Sequence, residues 1–203
     1  MKKKYILLLM LLFIIIISIC LIYRNNNNKE NADIKVKYPI YEYYKLNKVI
    51  TENINYYLKD NTDNYYFLYI DYKDYEYKEY ISIVLYISYF TGGAHPNYEI
   101  KTINYNKSSN KFIDIYDLIN RDKDILNKLS IYSREYFSNN DMFNDKVVFD
   151  MMIDGTKSIK DNYKYFNITS DGLIIYFNRY QIAPYYYGDY SITIPYNYLD
   201  LSI

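Results

Sequence analysis

The chain has 203 residues, with 24 basic side chains balanced by 24 acidic ones and a single histidine, His95. This balance, with no basic stripe, excludes a duplex-binding protein, because such binding needs clustered lysine and arginine to displace phosphate counterions. Cys20 is the only cysteine, which excludes an intrachain disulfide framework and leaves stability to an ordinary core.

At the amino end, Lys2, Lys3 and Lys4 precede Tyr5–Tyr23, a run of nineteen residues that contains no charge. As a helix this run would be about 28 Å long, close to the hydrocarbon thickness of a bilayer. The cationic start keeps the amino end cytoplasmic and sends the chain after Arg24 outward. Residues 1–24 therefore read as an uncleaved signal anchor, since the run exceeds the ~7–15 residues of a cleavable signal and no A-x-A-like site follows. The alternative is a lipoprotein signal acylated at Cys20, because Ile17-Ser18-Ile19-Cys20 has a lipobox-like order, although Ile19 is bulkier than the small residue usual there. Both readings give one membrane-anchored end, through residues 5–23 in the first and through Cys20 in the second, and put residues 25–203 on the extracytoplasmic side. Setting Lys2, Lys3, Lys4 and Arg24 aside leaves 20 basic against 24 acidic residues, a charge that suits a cationic protein ligand.

Residues 25–33 are polar, rich in asparagine, and read as a flexible tether. Residues 34–110 form a first α+β lobe. Residues 34–40 alternate as a strand, with Pro39 near its end. Leu46, Val49, Ile50, Ile54, Tyr57 and Leu58 recur at three- and four-residue steps and predict a helix over 41–59. Residues 60–64 make a loop, after which the period drops to two. Within residues 65–90, Ile81, Ile83, Leu85, Ile87 and Tyr89 share one face of a strand, and residues 65–78 are its antiparallel neighbour. Residues 92–97 turn, 98–105 return as a strand, and 106–110 turn again.

Residues 111–203 form a second α+β lobe. Asp114 is a candidate cap for a short helix to Asn120, and residues 122–138 carry a longer one. Strands follow at 166–169, 173–177 and 191–194. All five glycines, Gly92, Gly93, Gly155, Gly172 and Gly188, are expected between elements. The predicted class is α+β, antiparallel sheets with packed helices in two small lobes after one membrane helix.

Chemistry-bearing patterns are sparse. One histidine and no cysteine beyond residue 20 cannot build the usual zinc sites, so neither a metal nor a cofactor is expected. No G-x-S-x-G elbow accompanies His95, and neither a P-loop nor G-x-G-x-x-G occurs. Asp71, Asp74, Glu76 and Glu79 alternate with tyrosines and lysines, as on a solvated hairpin face. Asn167-Ile168-Thr169 matches the glycosylation acceptor pattern, a short motif. The 32 tyrosines accompany abundant Asn, Ile and Lys and only three alanines, the signature of A+T-rich coding, so their number alone marks no aromatic surface. Two local segments stand out. One spans Phe90, Gly92, Gly93, His95 and Asn97, where paired glycines allow a close backbone approach. The other spans Tyr180, Pro184, Tyr185, Tyr186 and Tyr187, an aromatic loop bent by proline. These ten residues are the candidate binding surface.

The order G-G-A-H-P-N (92–97), D-I-Y-D-L-I (114–119), G-L-I-I-Y-F (172–177), Y-Q-I-A-P-Y (180–185) and I-T-I-P-Y (192–196) resembles one family. It is the exported domain of unknown function shared by RsiV-like lysozyme-sensing anti-sigma factors and PdaC-like peptidoglycan deacetylases. The resemblance implies two α+β pieces, an envelope location and, from the sensor members, lysozyme binding. Only Met1–Lys4 precede the apolar run and no deacetylase domain follows Ile203, so neither sigma-factor inhibition nor deacetylation is expected. The expectation is a non-catalytic binding protein of the bacterial envelope, its ligand lysozyme or another cationic wall-active protein. Peptidoglycan binding is the alternative and an unrecognised wall hydrolase the second.

Overall fold

The computed structural model describes residues 15–18, 32–59 and 64–201. Met1–Ala32 and Asp33–Ile203 are separate units. In the first, residues 15–18 are helical and exposed. Among the described residues no helix is long and apolar enough to cross a membrane. Apart from residues 15–18, the expected span over 5–23 lies outside the described residues, as do Cys20 and most of the predicted loop at 60–64.

The second unit opens with strand β1 (Asp33–Val36), followed by helix α1 (Tyr44–Leu58) and strands β2 (Phe67–Tyr77), β3 (Tyr80–Phe90), β4 (Asn97–Asn106) and β5 (Lys111–Phe112). They form one sheet in the order β1-β2-β3-β4-β5. β2, β3, β4 and β5 pair antiparallel, but β1 runs parallel to β2. That parallel pairing corrects the all-antiparallel expectation, and its cause is the helix between the two strands, which returns the chain to the starting edge as a crossover.

Both faces of this sheet are covered. Leu46, Ile50, Ile54 and Tyr57 of α1 are buried. Ring contacts from Tyr57 to Tyr89 (5.9 Å) and from Tyr43 to Tyr105 (5.4 Å) place α1 over the predicted Ile81–Tyr89 face. The opposite face of β3 is buried as well, Ser82 and Val84 included, which simple alternation does not foretell.

What covers it is the second sheet, β6 (Phe166–Ile168), β7 (Leu173–Phe177) and β8 (Tyr190–Ile194), antiparallel in that order. Tyr176 and Ile174 of β7 meet Val84 and Ile100 of the first sheet. Leu173, Ile175 and Phe177 turn the other way, into the largest core. Helices α2 (Ile115–Arg121), α3 (Ile125–Ser138) and α4 (Lys146–Gly155) close that core. Phe137 of α3 lies between Phe177 and Tyr190, with ring centroids at 5.2 and 5.9 Å. A short helix, α5 (Tyr196–Leu199), follows β8. The layers thus run helix, five-stranded sheet, three-stranded sheet, helices.

Local chemistry explains the helix starts. Asp114 accepts from the N–H groups of Tyr116 and Asp117, and the Asp117 carboxylate accepts from the Asp114 N–H, a reciprocal capping box. Asp145 caps α4 through Val147 and Val148. The sequence reading assigns no element between Ser138 and Phe166, so α4 goes unread: its Val147, Val148, Phe149, Met151, Met152, Ile153 run is too continuous to show a helical period. Gly155 is the last residue of α4, not an inter-element glycine, and a Cβ there would lie 1.9 Å from the Gln181 carbonyl oxygen. Asn167 is fully buried and its amide donates to the Ile83 carbonyl at 3.1 Å, so the acceptor pattern at 167–169 is structural.

Candidate binding site

Two loops separated by some eighty residues of chain come together. One, residues 91–96, joins β3 to β4; the other, residues 178–189, joins β7 to β8. Their meeting point is Tyr185, whose ring stacks on His95 at 3.9 Å and 25°. Its hydroxyl donates to the Pro96 carbonyl at 2.7 Å. Tyr180 stands 5.6 Å from Tyr185 and 6.5 Å from His95, with its hydroxyl oxygen 3.5 Å from His95 Nε2. Tyr98, at the start of β4, adds a fourth ring 6.3 Å from Tyr185.

Into the wedge between Tyr98 and Tyr185 goes Arg179, its guanidinium carbon 3.6 Å and 4.5 Å from the two ring centroids. At such distances the cation is held by the negative faces of the rings. Asp189 accepts from the Arg179 backbone N–H at 3.1 Å, and its carboxylate lies 3.6 Å from Nε.

Each loop owes its shape to a few residues. Gly92 and Gly93 take φ of 101° and 116°, which side-chain-bearing residues rarely adopt, and so let the chain bend sharply after β3. The second loop is tied down by Gln181. Its amide donates to the carbonyls of Gly155 (3.1 Å) and Asn162 (3.0 Å), while its Oε1 accepts from the Asn178 N–H. Ile182 and Ala183 are buried beside it. Tyr180, next to this anchor, is held at φ 65° and is 57% exposed, a non-glycine residue in a conformation that costs roughly 1–3 kcal/mol.

Of the ten predicted surface residues, His95, Tyr180 and Tyr185 make the ring cluster, with Pro184 leading into it. Gly92 and Gly93 shape the first loop, and Asn97 is exposed beside Tyr98. Phe90 goes elsewhere, onto Tyr66 and Phe67 at 5.4 and 6.2 Å. Tyr186 is 75% exposed and packs on Tyr187, which itself packs on the main core. Sequence reasoning misses Tyr98, Arg179 and Asp189. A usable signal existed for Arg179, one of only four arginines in a lysine-rich chain and adjacent to the tyrosine loop.

Behind Tyr98, the next residue of β4 points the other way. Glu99 accepts from the hydroxyls of Tyr57 (2.6 Å) and Tyr89 (3.0 Å) and lies 3.5 Å from Lys101. Burial, followed by the bond to Glu99, pushes Tyr89 up to about 12 and raises Tyr57 as well. This group fastens the end of α1 to the sheet.

Chemically, the ring cluster offers tyrosine faces, hydroxyls and one guanidinium. His95 Nδ1 lies 3.0 Å from the Pro96 carbonyl oxygen, and among the described residues neither ring nitrogen contacts a carboxylate, a serine or a threonine. Asp71, Asp74 and Glu76 are exposed along β2, with Asp74 accepting from the Tyr41 hydroxyl and Asp71 facing Lys37. Among the described residues no three His, Cys, Asp or Glu side chains are grouped to hold a metal ion.

The layered α+β arrangement is that of the DUF3298 fold. A crystal structure of a DUF3298 family protein from Pseudomonas aeruginosa PAO1 superposes with a TM-score of 0.65 over 83% of each chain at 18% identity. A second, from Bacteroides fragilis NCTC 9343, gives 0.51 over 78% of this chain and 62% of that one at 19% identity. Residues 116–197, from α2 into α5, match the family model "Protein of unknown function (DUF3298)". The chain carries a DUF3298 domain, shared with PdaC-like proteins. It is 36% identical over 127 residues to the peptidoglycan-N-acetylmuramic acid deacetylase PdaC of Bacillus subtilis (strain 168), a match covering 62% of this chain and 27% of that protein.

Proposed function

We propose that this chain is a non-catalytic binding protein of the bacterial envelope, anchored through residues 5–23, whose ligand is the wall polymer peptidoglycan and whose contact surface is the paired loop cluster. The observation that carries this reading is the convergence of His95, Tyr98, Arg179, Tyr180 and Tyr185 from two different sheets into one patch. Rigid tyrosines lose little entropy on binding and offer both an apolar face and a hydroxyl, the equipment for a polymer of hydroxylated rings. The relative's name, a peptidoglycan deacetylase, supports the same ligand class.

The test is sedimentation of the full chain, kept in detergent, with insoluble peptidoglycan. Wild type is expected to pellet saturably, and Tyr185→Ala, which removes the ring shared by His95 and Arg179, to bind at least tenfold more weakly. Equal pelleting of the two would defeat the reading.

A cationic protein such as lysozyme is the second reading, favoured by the excess of acidic over basic residues beyond Arg24. Saturable capture of lysozyme at low salt, lost at high salt, supports it; no capture at low salt removes it.

A further inference from the structure

Arg179 carries a specificity beyond simple ring stacking. Its Nε is shut off from solvent and faces only Asp189 at 3.6 Å. The two terminal nitrogens are not shut off, and neither makes a hydrogen bond among the described residues. A guanidinium pinned between Tyr98 and Tyr185 cannot swing away to find partners, so its free donors point from a fixed place. Such a planar fork matches a carboxylate, whose two oxygens accept both donors at once. Around it lie Tyr180, more than half exposed, and His95, whose ring is exposed beyond its stack on Tyr185.

The geometry fits a ligand that combines two features, an apolar ring face for a tyrosine and a carboxylate for the arginine. We infer that the Arg179–Tyr98–Tyr185 wedge, with Tyr180 beside it, recognises a sugar ring bearing a carboxylate. This deepens the reading of the loop pair as a polymer-binding surface and rests on it. Muramic acid with a free lactyl group and a uronic acid share that chemistry. Asp189 works against any anion in the neighbourhood, and its place on the Nε edge leaves the terminal edge as the one available for the carboxylate.

The test uses the full chain in detergent and three soluble probes: peptide-free glycan strands with free muramic carboxylates, the same strands methyl-esterified, and oligoglucuronate. Binding can be followed through tyrosine fluorescence, since the chain has no tryptophan. Wild type is expected to bind free-acid strands at least tenfold more tightly than esterified ones. Arg179→Lys keeps the charge but loses the fork, and should cut free-acid binding about tenfold, so that the preference for free-acid over esterified strands largely disappears. Unchanged thermal unfolding of that variant confirms that it is folded. Preference for muramic strands over oligoglucuronate assigns the first source and the reverse assigns the second; both support the inference. Equal wild-type binding of free and esterified strands, or a preference that survives Arg179→Lys, overturns it. If insoluble peptidoglycan still pellets the protein through Tyr185 in that case, the broader reading stands while the carboxylate specificity falls.

Discussion

Gly155 shows how one missing side chain can hold a surface in place. It ends α4 against the Gln181 backbone, and a Cβ would sit 1.9 Å from the Gln181 oxygen, 2.7 Å from its carbon and 2.9 Å from Ile182 Cγ2. Backbone cannot step aside as a flexible side-chain tip can. Gly155→Ala is therefore expected to destabilise the protein by about 1–3 kcal/mol or more, the range for overpacking, and to displace the loop that carries Arg179, Tyr180 and Tyr185. Thermal unfolding together with near-ultraviolet tyrosine dichroism reads both effects; an unchanged midpoint would show that the loop absorbs the methyl group. The glycine is plain in the sequence, yet its role is not. Turn chemistry explains Gly92 and Gly93 from neighbours alone, whereas Gly155 answers to a carbonyl twenty-six positions away.

At the scale of elements, the two sheets are joined by polar side chains as well as apolar ones. Asn104 of β4 accepts from Ser82 Oγ (2.7 Å) and from the Asn167 amide (3.3 Å), and donates to the Phe166 carbonyl (2.9 Å). Ser82 Oγ in turn accepts from the Ile168 N–H at 3.1 Å. Because these groups are buried, each loses more by going unpaired than it gains by pairing. Asn104→Ala should cost about 2–4 kcal/mol, since it strips partners from Asn167 and the Phe166 carbonyl at once. Urea denaturation measures this, and a loss under about 1 kcal/mol would mean that water or repacking replaces the amide. Periodicity locates these strands well: β3, β4, β6, β7 and β8 fall within a residue or two of expectation, and Asp114 caps α2 as read. It does not reveal that the Ser82 face is covered, because a polar residue on an alternating strand reads as solvent-facing.

Over the whole molecule, tyrosine is a core residue as much as a surface one. Tyr163 is fully buried, its hydroxyl donates to the Thr156 carbonyl at 2.8 Å, and burial pushes it up to about 12. Tyr89 reaches about 12, and Tyr57, Tyr176 and Tyr196 are raised too, burial being the leading cause in each. The unfolded chain releases these protons near 10, while the folded protein keeps those of Tyr89 and Tyr163 to about 12 and holds those of Tyr57, Tyr176 and Tyr196 above the ordinary tyrosine value. The folded state therefore binds more protons in that window, and stability falls as pH rises through it. The part due to Tyr89 and Tyr163 is complete below pH 10 and should be lost between about pH 10 and 12, seen as a steep drop in the unfolding midpoint. A midpoint that holds level to pH 12 would contradict this, and Tyr163→Phe is expected to make the decline shallower.

The sequence by itself determined most of the elements, α4 excepted, the absence of a disulfide in the domain after Cys20, and the two loops worth attention, because periodicity, turn residues and composition act over short stretches of chain. Only the tertiary structure decided that those loops meet at Tyr185, that Arg179 and Tyr98 belong with them, and that Phe90 does not. The physical reason is that contacts between residues some eighty positions apart depend on how two sheets stack, and stacking is set by burial on both faces of β3 and β7, which no local pattern records.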